Sequence, residues 1–600
     1  MQKNFAGTAA ELDLIFQNFQ KKIEIVNGNF NRITLGLRRN VDEKGPDVQP
    51  IDELFASYDV AAHYNDDMFS SKIAFVIALN FPHFNLEEKE KLGDKWTRQQ
   101  WAYARVGDMF TSRVPASIAQ NITKVMSEAD MYIADYNIYA GSLLDENGKT
   151  LFPKEMVLLS HWNIRDEIKS NYANAEGLTK QRMLYQVMKR IVSQEIPEKV
   201  INNGTYQWNP YTNKTFENGK EINLASEPNT RYAHLFATFK ALKAEDPYYT
   251  ELNTAIKRAF DGAMEVRTEE IEKLFDEVLR SPELNKVAQL IKKRLNRNLE
   301  PFDIWYDGFK SRSSIDGAEL DKQTQAKYPD NKSFKQNIPT LLQQLGWQPE
   351  RAQFIASKIE VDAARGSGHA WGTQMKEDAS HLRTRIGDKG MDYKGYNIAV
   401  HEFGHNVEQT ISIHDVDSYV LRGVPSTAFT EALAFLFQAK DLELLGIKNN
   451  APDAIDLKSL DIFWSTCEIM GVSLVDINVW KWMYAHQNAT NEELNKAVNK
   501  IAIDVWNTYF APVYGVKDEP LLSIYSHMIS NPLYLSNYAF GHLIDFQVGS
   551  FVEGKVFANE VDRMYKTGSI IPQEWMKHAV GSSISTKPLL EAVNKALSRM

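Results

Sequence analysis

The stretch Tyr396-Asn397-Ile398-Ala399-Val400-His401-Glu402-Phe403-Gly404-His405-Asn406-Val407-Glu408 carries the order His-Glu-x-x-His inside an apparent helix. Histidines four apart lie one turn above each other on one helix face, so His401 and His405 can reach a single ion while Glu402 projects beside them toward a bound water. With 13 His in 600 residues, a chance match to these three fixed positions is expected on the order of 0.02 times. The plain alternative is a surface helix with two incidental histidines.

A catalytic zinc site usually takes three protein ligands and keeps its fourth position for water. Pro425-Ser426-Thr427 reads as a helix start, and the run Ala428-Phe429-Thr430-Glu431-Ala432-Leu433-Ala434-Phe435-Leu436-Phe437 behind it is apolar apart from Thr430 and one carboxylate. A lone charge in such a helix is costly to bury unless it is paired or bound to a metal, which makes Glu431 the natural third ligand. The competing reading has Glu431 neutralise an Arg or Lys elsewhere. One zinc ion per chain on His401, His405 and Glu431 would polarise a carbonyl and lower the pKa of its water to about 7, with Glu402 as general base. Another divalent ion fits the same ligand types. Asp415 and Asp417 follow the first ligand helix, where they would either orient a ligand imidazole or sit in a solvated loop.

The rest of the chain supplies the setting. Its 43% apolar and 24% charged residues over 600 positions describe an ordinary soluble globular composition, enough for two or more domains or one large bilobed body. A formal net charge of −10, with 68 basic residues and no long basic cluster, argues against nucleic acid as a partner. Cys467 is the single cysteine, so any metal site rests on His and carboxylates, and a cytoplasmic location fits without excluding an envelope one. No apolar run reaches the roughly 18 to 20 residues of a bilayer span, and the start of the chain does not resemble a signal core.

Helical periodicity dominates, near 8–26, 86–112, 115–133, 178–194, 230–243, 250–297, 491–510 and 585–599. A mainly α fold with a minor β element is expected. Met131 to Ile164 reads as strands around the turn Asp145-Glu146-Asn147-Gly148, with Tyr132 and Ile133 in the first strand. The polar stretches at 203–230 and 311–337 read as long surface loops or a lobe boundary. The division expected is a helical N-terminal lobe over 1–340 and a catalytic region over 341–600.

Met391-Asp392-Tyr393, His401-Glu402-Phe403-Gly404-His405 and Gly423-Val424-Pro425-Ser426-Thr427-Ala428-Phe429-Thr430-Glu431-Ala432 together resemble the thimet oligopeptidase and oligoendopeptidase F family of gluzincin zinc peptidases. The resemblance implies a zincin-like, neurolysin-like helical body with two lobes flanking a deep channel for short peptides. It also implies that Arg365-Gly366-Ser367-Gly368-His369-Ala370-Trp371-Gly372 forms an edge strand beside the substrate, with Gly368, His369 and Ala370 as contacts. An ordinary glycine loop is the other reading of that segment.

The run from His527 to Gly541 is similar to the family's His-then-tyrosines segment, which implies Tyr538 as the oxyanion donor, Tyr534 as the secondary candidate and His527 as a substrate contact. Two features depart from the pattern. The tyrosine spacing differs slightly, and Phe435 and Gln438 occupy the turns after Glu431 where several gluzincins carry a further carboxylate. His161-Trp162-Asn163-Ile164-Arg165-Asp166 would line the channel or serve as a strand end. The function expected is hydrolysis of short peptides. A dipeptidyl carboxypeptidase or carboxypeptidase of the same type is the alternative, and a peptide-binding protein without turnover is the reading from another class.

Overall fold

The computed structural model describes residues 4–160, 162–309, 317–366, 368–447 and 453–600, so His161, Ser367 and the start of the 311–337 stretch lie outside the described residues. The fold is mainly α. Among the described residues three small sheets interrupt it: β1 (Asn137–Tyr139) with β2 (Val157–Leu159), a meander of β3 (Gln207–Asn209), β4 (Lys214–Glu217) and β5 (Lys220–Ile222), and a mixed sheet in the order β6 (Ile359–Ala363), β8 (Ser380–Thr384), β7 (His369–Trp371).

Local chemistry explains the long N-terminal helix Ala9–Asp42. Thr8 Oγ1 accepts the Glu11 N–H while the Glu11 carboxylate accepts the Thr8 N–H, a reciprocal cap, and Phe16, Phe19 and Ile23 line the buried face at helical spacing. The far end of this helix is tied to the mixed sheet. Asp42 takes an ion pair from the fully buried Arg383 of β8 at 2.8 Å, and Lys44 and Arg365 exchange backbone hydrogen bonds with Ala363 and Asp42. Residues far apart in sequence thereby fix the sheet that carries β7.

Around the expected site, the helix Tyr393–Asp415 packs on β8 and on the helix Thr427–Gln438, which in turn packs on Leu535–Val552. The helix Ala454–Ala485 lies behind them. It is long and apolar enough to cross a membrane by length and composition, against the sequence expectation of no such run, but 78% of its apolar window is buried within the fold. Its packing against Leu535–Val552 and Lys587–Leu597 accounts for that composition as core.

Three local expectations are corrected. Tyr132 and Ile133 belong to the helix Ala116–Ala134, and the strand begins only at Asn137. The 203–230 stretch holds the β3–β5 meander, whose alternation is too short to stand out among polar residues. The described part of 311–337 is largely helical, as Gly317–Lys327 and the capped helix Asn331–Gln344, which accommodates Pro339 inside it.

Candidate metal centre

The first ligand helix starts at a clear signal: Asp392 Oδ1 accepts the Gly395 N–H at 2.7 Å. From there His401 and His405 fall on the face toward Thr427–Gln438, with Glu402 beside them toward Ala370 of β7, and the two helices approach closely because residue 404 is glycine. A Cβ at Gly404 would lie 2.9 Å from Ala434 Cα and 3.1 Å from Phe437 Cβ. That contact sets Glu431 opposite the histidines.

The donors converge. His401 Nε2 lies 3.4 Å and His405 Nε2 3.9 Å from Glu431 Oε2, and one ligand atom from each residue falls within 4.8 Å of the others. Two donors about 2.0–2.1 Å from one tetrahedral ion are about 3.3 Å apart, so this spacing fits a zinc ion with little adjustment. The outward nitrogens are also fixed: His405 Nδ1 meets Thr430 Oγ1 at 2.9 Å and His401 Nδ1 meets Gln438 Oε1 at 3.2 Å. Both rings thus turn Nε2 inward.

Electrostatics favour a cation here. Burial and the neighbouring His401 lower the His405 pKa to about 4, leaving its imidazole neutral near pH 7. Burial is the largest single influence on His401 and Glu431 and opposes their charged forms, but their mutual hydrogen bond together with the neighbouring charges and hydrogen bonds outweighs it, raising His401 and lowering Glu431. Burial pushes the Glu402 carboxyl up to about 7; the charge on His401 and the Ala370 N–H oppose the rise while Glu431 adds to it. A carboxyl poised near neutrality suits proton transfer.

The Gly-rich segment takes the edge position. β7 pairs antiparallel with β8, His369 opposite Arg383 and Ala370 opposite Leu382, and its other side is the end of the sheet. Gly368 is required by close approach, since a Cβ there would sit 2.3 Å from Ile398 Cγ2 of the first ligand helix. Ala370 reaches Glu402 through its N–H, while His369 Nε2 lies 3.1 Å from Arg383 Nη1.

The His527–Gly541 segment closes the opposite side. Tyr534 OH donates to Glu431 Oε1 at 3.4 Å, its ring lies 5.3 Å from that of Tyr538, and His527 stands edge-on to Tyr538 at 6.3 Å and to Trp162 at 5.1 Å. Burial raises the Tyr538 phenol, and the charges of Glu431 and Glu402 raise it further, so this phenol stays protonated and can donate. Burial, with Arg165 nearby, lowers His527 to about 4. The loop before Tyr534 is held from the Ala454–Ala485 helix: Leu533 has a left-handed φ of 62° and its N–H donates to the buried Asp476 Oδ2 at 2.6 Å.

For Asp415 and Asp417 the alternative away from the ligands holds. Asp415 pairs with Arg351 and Lys566, and Asp417 with Arg98, so neither orients a ligand imidazole. Three residues at or beside the centre were not singled out for it in the sequence: Thr430 and Gln438, which meet the ligand imidazoles, and His542. The last lies half-buried one turn beyond Tyr538 and stacks on Phe435 at 4.5 Å, whose ring also lies 5.3 Å from His401. Its position four residues after Tyr538 on one helix was the available signal.

No protein-family model and no curated protein matches the chain by sequence. Solved structures do match by shape. A structure assigned as an oligoendopeptidase F aligns at TM-score 0.58 and 13% identity over 99% of this chain and 93% of its own. Pz peptidase A with a bound inhibitor aligns at 0.58 and 14% over 98% and 96%, and a structure assigned as a peptidase of Chlamydophila abortus at 0.54 and 12% over 98% and 90%. At such identities the likeness establishes architecture: over nearly its whole length this chain has the mainly α fold of those peptidase structures.

Proposed function

We propose that this protein is a zinc-dependent peptidase that cleaves short, extended peptides. The observation that carries the reading is the convergence of His401 Nε2, His405 Nε2 and Glu431 Oε2 beside Glu402, next to the edge strand β7. Zinc, when bound, supplies a Lewis acid and a water of pKa about 7. Glu402 takes the proton of the attacking water and delivers it to the leaving amine, its carboxylate aimed by the Ala370 N–H. An extended substrate adds to β7 as a further strand, with Gly368, His369 and Ala370 along it. Tyr538 donates to the developing oxyanion, with Tyr534 and His527 as neighbouring contacts. The peptidase assignments of the fold neighbours support the same reading, and residues 341–600 hold all of this machinery.

The test is mass spectrometry of products from a mixed peptide library, including blocked termini, with zinc-loaded protein and a chelated control. Internal cleavage of blocked peptides is expected, lost on chelation. Products only from free C-termini would replace this reading with a carboxypeptidase one. No cleavage of any peptide would leave a binding protein.

A further inference from the structure

The turns after Glu431 lack the carboxylate that would directly orient a ligand histidine, yet His401 Nδ1 has a partner in Gln438. The hydrogen bonds behind Gln438 run in one direction. Gln438 Nε2 donates to Asn397 Oδ1 at 2.8 Å, and Asn397 Nδ2 donates to Asp441 Oδ2 at 2.6 Å. Asp441 is buried and receives two more donors, the Tyr393 phenol on Oδ2 at 2.5 Å and the Leu442 N–H on Oδ1 at 2.6 Å. With three donors aimed at its two oxygens, this carboxylate can only accept.

That constraint propagates. An acceptor at Asp441 obliges Asn397 to present its NH₂ there and its carbonyl to Gln438. Gln438 must then present its NH₂ to Asn397 and its carbonyl to His401, so that His401 Nδ1 carries the proton and Nε2 keeps the lone pair. We infer that Asp441 is a positioning residue for the metal centre, setting the tautomer of His401 through Asn397 and Gln438. The inference rests on the proposed zinc site. The relay also crosses between the ligand helices, since Asn397 sits one turn before His401 and Asp441 follows the helix that bears Glu431. The carboxylate is displaced by two amides rather than missing.

The measurement is zinc affinity, read by competition with a chromophoric chelator in the purified full chain, with thermal unfolding of each variant alongside. Asp441→Asn removes the obligate acceptor at constant size and should weaken zinc binding about 10-fold, the lower end of what outer hydrogen-bond partners contribute. Gln438→Ala should do the same, and the double variant should be no weaker than either single one because both break one series. Gln438→Glu puts a carboxylate directly on His401 and should return the affinity of Asp441→Asn to within about 2-fold of wild type, a rescue that a merely structural role for Asp441 would not produce. Undiminished zinc affinity in Asp441→Asn, or additive losses in the double variant, overturns the relay. Should Asp441→Asn not fold, Gln438→Ala decides alone: wild-type affinity there overturns the relay, and a 10-fold loss recovered by Gln438→Glu sustains it. A wild-type chain that binds no zinc would instead overturn the metal site itself.

Discussion

Two interiors of this molecule concentrate charge, and they handle it in opposite ways. Between the helices Leu86–Leu92 and Arg98–Asp108 and the 249–267 segment, Glu265 meets Arg105 at 2.6 Å and Lys89 at 3.0 Å, while Asp108 meets Lys89 at 2.7 Å, His83 at 3.0 Å and Arg105 at 3.3 Å. Above this cluster opens a cavity of about 1080 Å³. Around His401 and His405, by contrast, Glu402, Glu408 and Glu431 are buried, and among the described residues none of them pairs with a Lys or Arg. The first cluster has already matched its carboxylates with permanent cations. The second leaves its carboxylates and imidazoles without a permanent cation beside them, the setting that the proposed zinc ion would complete. Charge balance, more than cavity size, separates a structural ionic core from a site that needs a ligand.

The contrast can be broken most sharply at Glu402. Glu402→Gln should lower hydrolysis by about 10³-fold or more with zinc content unchanged, measured by single-turnover kinetics and elemental analysis. Wild-type turnover would remove the general base. In the other cluster, Glu265→Gln leaves the buried Lys89 and the half-buried Arg105 short of a partner and should cost about 3 kcal/mol of stability while zinc content per folded chain stays the same.

The same cluster has a defined pH signature. Burial favours the neutral form of Glu265, but Arg105 and Lys89 outweigh it and hold the carboxyl below its ordinary value. Its contribution is therefore present above the unfolded carboxyl pKa of about 4.3 and lost as pH falls through the lower folded value. Acid below about pH 4.3 should destabilise wild type more than Glu265→Gln, and parallel unfolding curves would contradict the pairing.

Smaller effects sharpen the boundaries of the site. Tyr538→Phe should lower the catalytic rate about 10²-fold with little change in unfolding temperature, in keeping with the loss of one oxyanion donor. A larger loss in Tyr534→Phe would transfer the role. Asp417→Asn breaks an exposed pair with Arg98 and should shift stability by about 1 kcal/mol or less and leave zinc affinity untouched. Weakened zinc binding in that variant would bring Asp417 back into the centre.

The proposed metal donors were legible because each rests on a short-range pattern. His401, Glu402 and His405 are fixed by helical spacing, and Glu431 by being the one carboxylate in an apolar helix. Helices such as Ala9–Asp42, Gly177–Ser193 and Thr230–Lys243 were legible for the same reason, since their apolar periodicity persists over several turns. The β3–β5 meander was not, because strands of three and four residues do not establish a period. The surroundings of the centre escaped for a different reason. Gln438 and Asn397 are neutral amides whose significance depends on which group fixes their direction, and Asp441 acts only through them. The segment from His527 to His542 lies about a hundred residues beyond Glu431, so no local spacing tells which phenol faces the donors. Its placement depends on packing between Thr427–Gln438 and Leu535–Val552 and on the Asp476 contact that holds Leu533.

The most direct test of the account is the zinc content of purified chains after dialysis against zinc and then metal-free buffer. Wild type and Glu402→Gln should each retain one zinc per chain, and His405→Ala and Glu431→Ala essentially none at matched secondary structure. Zinc retained equally in Glu431→Ala, or absent from wild type, would contradict the assignment of His401, His405 and Glu431 as the metal centre.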